Sequence, residues 1–105
     1  MFLSVEEKEE ETIISFHIDL VEQNVEYIFK DSLLCISESV CFLIILDLKE
    51  VKELDTFGLG ILLNFCNCAH KLNKKVKIVN INKKIFYKFK AFKIDKRYEC
   101  ITFLS

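Results

Sequence analysis

From residue 12 to residue 20 the chain alternates. Ile14, Phe16, Ile18 and Leu20 fall on one side, and Ile13, Ser15, His17 and Asp19 on the other. A period of two is that of a strand with one well-covered face. Residues 2–5 predict a short strand before it, with the acidic run 6–11 turning the chain between the two. Val21, Val25, Ile28, Phe29 and Ile36 then recur at helical spacing, with Glu22, Glu26 and Lys30 turned outward. That stripe predicts a first helix of about three turns ending near Cys35. Residues 41–46 are continuously apolar and rich in branched side chains, which predicts a central strand covered on both faces and ending at Asp47. A second helix is expected from Phe57 to Leu72 and a strand over 76–81. Asn82 is placed to cap a third helix with the stripe Ile85, Phe86, Phe89 and Phe92, and residues 98–104 read as a last strand. The order β-β-α-β-α-β-α-β predicts a single α/β domain over 1–105. Its sheet should be mixed but mostly parallel, begin with an antiparallel hairpin and carry about three covering helices.

The stretch Asp55-Thr56-Phe57-Gly58-Leu59-Gly60 interrupts this regularity. The chain has 2 glycines and no proline, and both glycines stand in the first turn of the second helix. Each costs about 1 kcal/mol there relative to alanine, so each asks for a reason, such as close approach of a neighbouring backbone or room for a partner. Asp55-Thr56 supplies the polar chemistry of a helix N-cap. At 100° per residue Phe57, Ile61, Leu62, Phe65, Cys68, Ala69 and Leu72 share a broad face, expected to be the core face. Thr56, Leu59, Gly60, Leu63 and Asn67 gather on the other side. A helix that only covers a sheet should be polar there. The apolar character predicts a docking surface built on Asp55, Thr56, Phe57, Gly58, Leu59, Gly60, Leu63 and Asn67, with the hydroxyl of Thr56 at its edge.

Composition removes several alternatives. No apolar run approaches the length of a membrane span, and the first residues lack the basic and apolar regions of a signal peptide. A cytosolic protein that inserts into no membrane is expected. The 5 cysteines then read as small buried hydrophobes rather than disulfides. Cys66, Cys68 and His70 look like a metal cluster, but on a helix Cys68 points nearly opposite to the other two, so no metal site is expected. Gly58-Leu59-Gly60 begins like a dinucleotide fingerprint, yet Leu63 occupies the third glycine position and no Walker lysine follows. No catalytic constellation has recognisable spacing, and neither an enzyme nor a cofactor is expected. Charge is uneven: residues 1–60 hold 4 Lys against 14 Asp and Glu, a balance of −10, while residues 61–105 hold 11 Lys and Arg against 2 acids, or +9. Such asymmetry can mark a nucleic-acid surface. In the third helix, however, the aromatics are spent on the core stripe and Lys83, Lys84, Lys88 and Lys90 fall mostly opposite, so no direct nucleic-acid partner is expected. His17 reads as a surface histidine, with no acid or nucleophile nearby in sequence.

The segment Ile44-Ile45-Leu46-Asp47-Leu48, a short loop, and then Asp55-Thr56-Phe57-Gly58-Leu59-Gly60-Ile61-Leu62-Leu63 resembles the STAS domain, as in bacterial anti-sigma factor antagonists. The family pattern is an apolar strand ending in Leu-Asp-Leu, followed by Asp-Ser-Ser/Thr-Gly-Leu-Gly opening a helix. The element order agrees over essentially the whole chain. The resemblance implies a phospho-switch protein in the regulation of transcription. In the family, the hydroxyl directly after the motif aspartate is phosphorylated by a partner that is both serine/threonine kinase and anti-sigma factor; the matching position here is Thr56. The unmodified form binds that partner, and a phosphatase restores it. A second reading within the family is an unphosphorylated adaptor or scaffold subunit in a lipid-transporter or stress-signalling assembly. Three departures stand out. Threonine replaces the commoner serine, Phe57 replaces a small residue, and Asp19-Leu20-Val21-Glu22 stands where the family has Gly-x-Leu-Asp.

Overall fold

The computed structural model of the chain describes residues 2–24 and 41–91. Strand β1 (Leu3–Glu7) forms a hairpin with β2 (Glu11–Phe16), and after a 3-10 turn at Glu22–Asn24 the described chain resumes before β3 (Leu43–Asp47). Helix α1 (Thr56–Lys71), strand β4 (Lys75–Val79) and helix α2 (Lys83–Ala91) follow. The sheet order is β1-β2-β3-β4. β1 is antiparallel to β2, whereas β2, β3 and β4 run parallel, with Ile14 opposite Leu46 and Leu46 opposite Ile78. The mixed, mostly parallel α/β sheet with an opening antiparallel hairpin is therefore as the sequence pattern predicts. The expected second and third helices are α1 and α2. The rest of the expected first helix, Phe92 of the third stripe and the expected strand over 98–104 lie outside the described residues.

Burial follows the alternation of side chains along each strand. Ile14 and Phe16 of β2, Ile44 and Leu46 of β3, and Val76 and Ile78 of β4 are buried. They pack with Ile61, Leu62, Phe65 and Ala69 of α1 and with Ile85 and Phe89 of α2 in a single cluster. Phe16 and Phe65 meet edge to face, ring centroids 6.5 Å apart at 71°, the orientation that aromatic quadrupoles favour. β3 corrects one expectation. Leu43, Ile45 and Asp47 are only partly buried, so the strand has one fully covered face and one half-covered face. β1 extends to Glu7, so the turn takes up only part of the acidic run; β2 stops at Phe16 because the chain then bends to bring Leu20 against Leu54 in an isolated parallel bridge.

Helix ends follow the polar residues. At the C-terminus of α1, Asn73 adopts the left-handed conformation (φ 58°). The N–H of Asn73 donates to His70 O at 3.0 Å and that of Lys74 to Ala69 O at 2.9 Å, which satisfies carbonyls the helix leaves open. At the N-terminus of α2, Asn82 Oδ1 accepts from the Ile85 N–H at 2.8 Å, the cap that the sequence predicts.

Candidate functional site

Six hydrogen bonds assemble the ground on which Thr56 stands. The Leu20 N–H donates to Glu53 O at 3.0 Å, and the Asp55 N–H donates to Leu20 O at 3.1 Å. Asp19 Oδ1 accepts from the N–H groups of Lys52 and Glu53, at 2.9 and 3.3 Å. Asp55 answers in the other direction, its Oδ2 accepting from the Glu22 N–H at 2.8 Å and its Oδ1 from the Gly58 N–H at 2.9 Å. Two aspartates far apart in sequence thus tie the segment after β2 to the loop before α1. Asp55 is both the N-cap of α1 and a cross-segment staple.

Burial raises the Asp55 carboxyl, but the N–H groups of Gly58, Glu22 and Phe57, with the charge of Lys88, outweigh it and hold the group below the usual carboxylate value. The side chain therefore stays ionised as a cap, which a helix N-terminus also favours.

Gly58 is buried where α1 meets this staple. A Cβ there would lie 1.8 Å from the carbonyl oxygen of Leu20, so no other residue fits without moving the backbone. Gly60 is the opposite case: it is exposed, with nothing within 4 Å of an added Cβ. Of the two reasons a glycine in this turn could have, Gly58 shows the internal one.

The expected docking face needs a correction in phase. Phe57, assigned to the core, is 53% exposed, whereas Leu59, assigned to the outside, is 4% exposed and belongs to the core cluster. The buried arc of α1 is rotated by about 50° from the one that hydrophobicity alone suggests. Phe57 biased the sequence reading, while the helix turns Leu59 toward Leu54 and α2. Gly58 is likewise inside. Thr56, Gly60 and Asn67 are exposed on one stripe and Leu63 is half-buried against the core. Phe57 and Asn64 flank that stripe on its exposed side. The outward stripe of α1 is therefore Thr56, Phe57, Gly60, Leu63, Asn64 and Asn67, with Asp55 half-buried beside it and Gly58 and Leu59 buried beneath.

Beside the stripe, Leu54, Asp55, Thr56, Leu59 and Lys88 line a cleft of about 200 Å³ between the start of α1 and α2. The Lys88 ammonium donates to the Leu54 carbonyl. One turn earlier Lys84 pairs with Glu53 at 2.6 Å. Neither contact was visible in the sequence, although the lysines opposite the aromatic stripe of α2 were. Lys90 stands 5.1 Å from the centre of the Phe86 ring, and Tyr87 is exposed.

His17 is exposed, as a surface histidine should be, and it also finds partners there. Its Nε2 lies 2.7 Å from Ser4 Oγ, and its Nδ1 is hydrogen-bonded to Glu50 Oε2. The acid is 33 positions away, beyond what sequence proximity could reveal. Cys66 is buried, Cys68 partly buried and His70 exposed, and no group able to hold a metal ion occurs among the described residues. No helix among them is long and apolar enough to cross a membrane.

The sequence profile of the STAS domain matches residues 2–103. No curated protein matches the chain in sequence. Among solved structures, an anti-sigma-factor antagonist (STAS) domain protein from Planctomyces limnophilus superposes with a TM-score of 0.82 at 15% identity, covering 98% of this chain and 90% of its own. The anti-sigma factor antagonist SpoIIAA in its unphosphorylated form gives 0.76 at 15% identity, over 98% and 88% of the two chains. The Bacillus cell fate determinant SpoIIAA in the phosphorylated form gives 0.71 at 15%, over 98% and 91%. At such identities the likeness speaks for the fold.

Proposed function

The chain belongs to the STAS domain family, and from that premise we propose that it is a phospho-switch protein of the anti-sigma factor antagonist kind, with Thr56 as the switch residue. The observation that carries this reading is the position of Thr56. It is an exposed hydroxyl on the first residue of α1, directly after an ionised cap and at the head of a stripe that is partly apolar. A kinase can reach it without unfolding anything. In the unmodified state the stripe Thr56, Phe57, Gly60, Leu63 and Asn67 docks a protein that is both serine/threonine kinase and anti-sigma factor. A fold neighbour known in unphosphorylated and phosphorylated forms is in keeping with a mark that leaves the fold in place.

The transfer forms a bond from Thr56 Oγ1 to the γ-phosphorus of a nucleoside triphosphate as the bond to the bridging oxygen breaks. A base on the kinase takes the hydroxyl proton, and the diphosphate leaves with the electron pair. The product carries about −1.5 to −2 charges beside Asp55. Docking it against an apolar surface without matching arginines would strand a hydrated charge, at a cost of several kcal/mol. At about tenfold per 1.4 kcal/mol, that separates a working complex from a dissociated one. A phosphatase resets the switch.

The test compares wild type, Thr56→Ala and Thr56→Glu as bait in native lysate, with mass-spectrometric mapping of phosphate on the wild-type chain. Thr56→Ala should retain the kinase and take no phosphate, and Thr56→Glu should lose the kinase. If Thr56→Glu holds the same partner as tightly as wild type, the chain acts instead as an unphosphorylated adaptor.

A further inference from the structure

Lys84 and Lys88 both lean from α2 toward the start of α1, yet they differ in electrostatic state. Lys84 is neutralised by Glu53 at 2.6 Å. Lys88 makes no ion pair among the described residues, and its ammonium rests on an uncharged acceptor, the Leu54 carbonyl. The carboxylate whose field it feels is that of Asp55, and both Asp55 oxygens already accept N–H bonds from Gly58 and Glu22. An ammonium has three donors, so capacity remains. Lys88 and Thr56 line the same cleft, with the apolar Leu59 beside them, and the carbonyl that holds Lys88 lies two residues before Thr56.

We propose that Lys88 is the internal counter-ion of a Thr56 phosphate. The inference rests on the phosphorylation reading above and adds how the mark is held. After transfer, the ammonium turns from the Leu54 carbonyl to the phosphate oxygens, exchanging a neutral acceptor for a charged one, the stronger kind of hydrogen bond. Among the described residues, Asp55 and Lys88 line the cleft with Thr56 and Lys84 pairs with Glu53, so Asp55 and Glu53 repel the phosphate and Lys88 and Lys84 attract it. Lys84 is committed to Glu53, so Lys88 is the cation that answers. The resulting bridge ties α2 to the first turn of α1 across the cleft.

The test needs neither kinase nor partner. The full chain is made with phosphothreonine placed at position 56 during synthesis, and the phosphate is titrated by phosphorus NMR in the wild-type background and with Lys88→Met, Lys88→Gln, Lys88→Arg and Lys84→Met. A nearby cation favours the dianion, so the second ionisation of the phosphate, ordinarily near pH 6, should shift upward on losing Lys88 by on the order of half a unit. Lys88→Met and Lys88→Gln should agree, Lys88→Arg should retain the wild-type curve, and Lys84→Met should change it less. Superimposable curves for wild type and both neutral Lys88 variants would overturn the assignment. That result would leave the switch itself to stand or fall on the partner experiment with Thr56→Ala and Thr56→Glu.

Discussion

The backbone of Leu20 occupies the space that any side chain at Gly58 would need: an added Cβ would meet the Leu20 carbonyl oxygen at 1.8 Å and its carbon at 2.6 Å. The same carbonyl accepts the Asp55 N–H, so the clash cannot be relieved without breaking the staple beside the proposed switch residue.

The two glycines should therefore part company. Gly58→Ala is expected to destabilise the fold by more than about 2 kcal/mol, in the range of overpacking with backbone displacement. Gly60→Ala meets open space within a helix and should be neutral or stabilising by up to about 1 kcal/mol. Urea denaturation of the two single variants checks the pair, and equal effects would remove the argument for close approach.

Phe57 and Leu59 make a second contrast. Leu59→Ala empties a core position and should cost about 2–5 kcal/mol. Phe57→Ala removes an exposed ring and should change stability by no more than about 0.5 kcal/mol, while weakening capture of the kinase partner at least tenfold, as loss of an aromatic anchor does. Thermal melts and binding measured on the same samples separate the roles.

Acid should act through Asp55. Its carboxyl is held below the ordinary value of 3.8 in the folded chain, so between the two values the unfolded state binds more protons. The stabilisation is fully present above the ordinary value and is lost as pH falls through the lower, folded one. Asp55→Asn should lower stability near neutral pH and show a shallower acid decline than wild type. Urea midpoints followed from about pH 5 to about pH 2.5 report this slope. Asp55→Ala should cost about 0.5–2 kcal/mol as a lost cap, plus the contribution of the bond to Glu22.

The bridge Ser4–His17–Glu50 is a surface feature, with Glu50 61% exposed at the side chain. A double-mutant cycle of His17→Ala and Glu50→Ala at fixed pH should give a coupling below about 1 kcal/mol, as exposed pairs do. A coupling of several kcal/mol would mean that this pair anchors the loop after β3.

Strand periodicity in residues 12–20, the apolar run before Asp47, the stripe of α2 and the caps Asp55 and Asn82 were legible along the chain, because each depends on neighbours within one turn or one strand. Those local rules suffice for the mixed sheet, the position of α1 and the exposure of Thr56. Tertiary packing decided the rest. The phase of α1 was settled by where the sheet, Leu54 and α2 stand, which buried Leu59 and released Phe57 against the phase that periodicity assigned to each. Gly58 was assigned its reason by the carbonyl of Leu20, His17 its acid by Glu50, and the cleft beside Thr56 its cation by Lys88. Each of these pairs lies roughly thirty or more positions apart in sequence. Sequence periodicity carries no term for what approaches an element from across the fold.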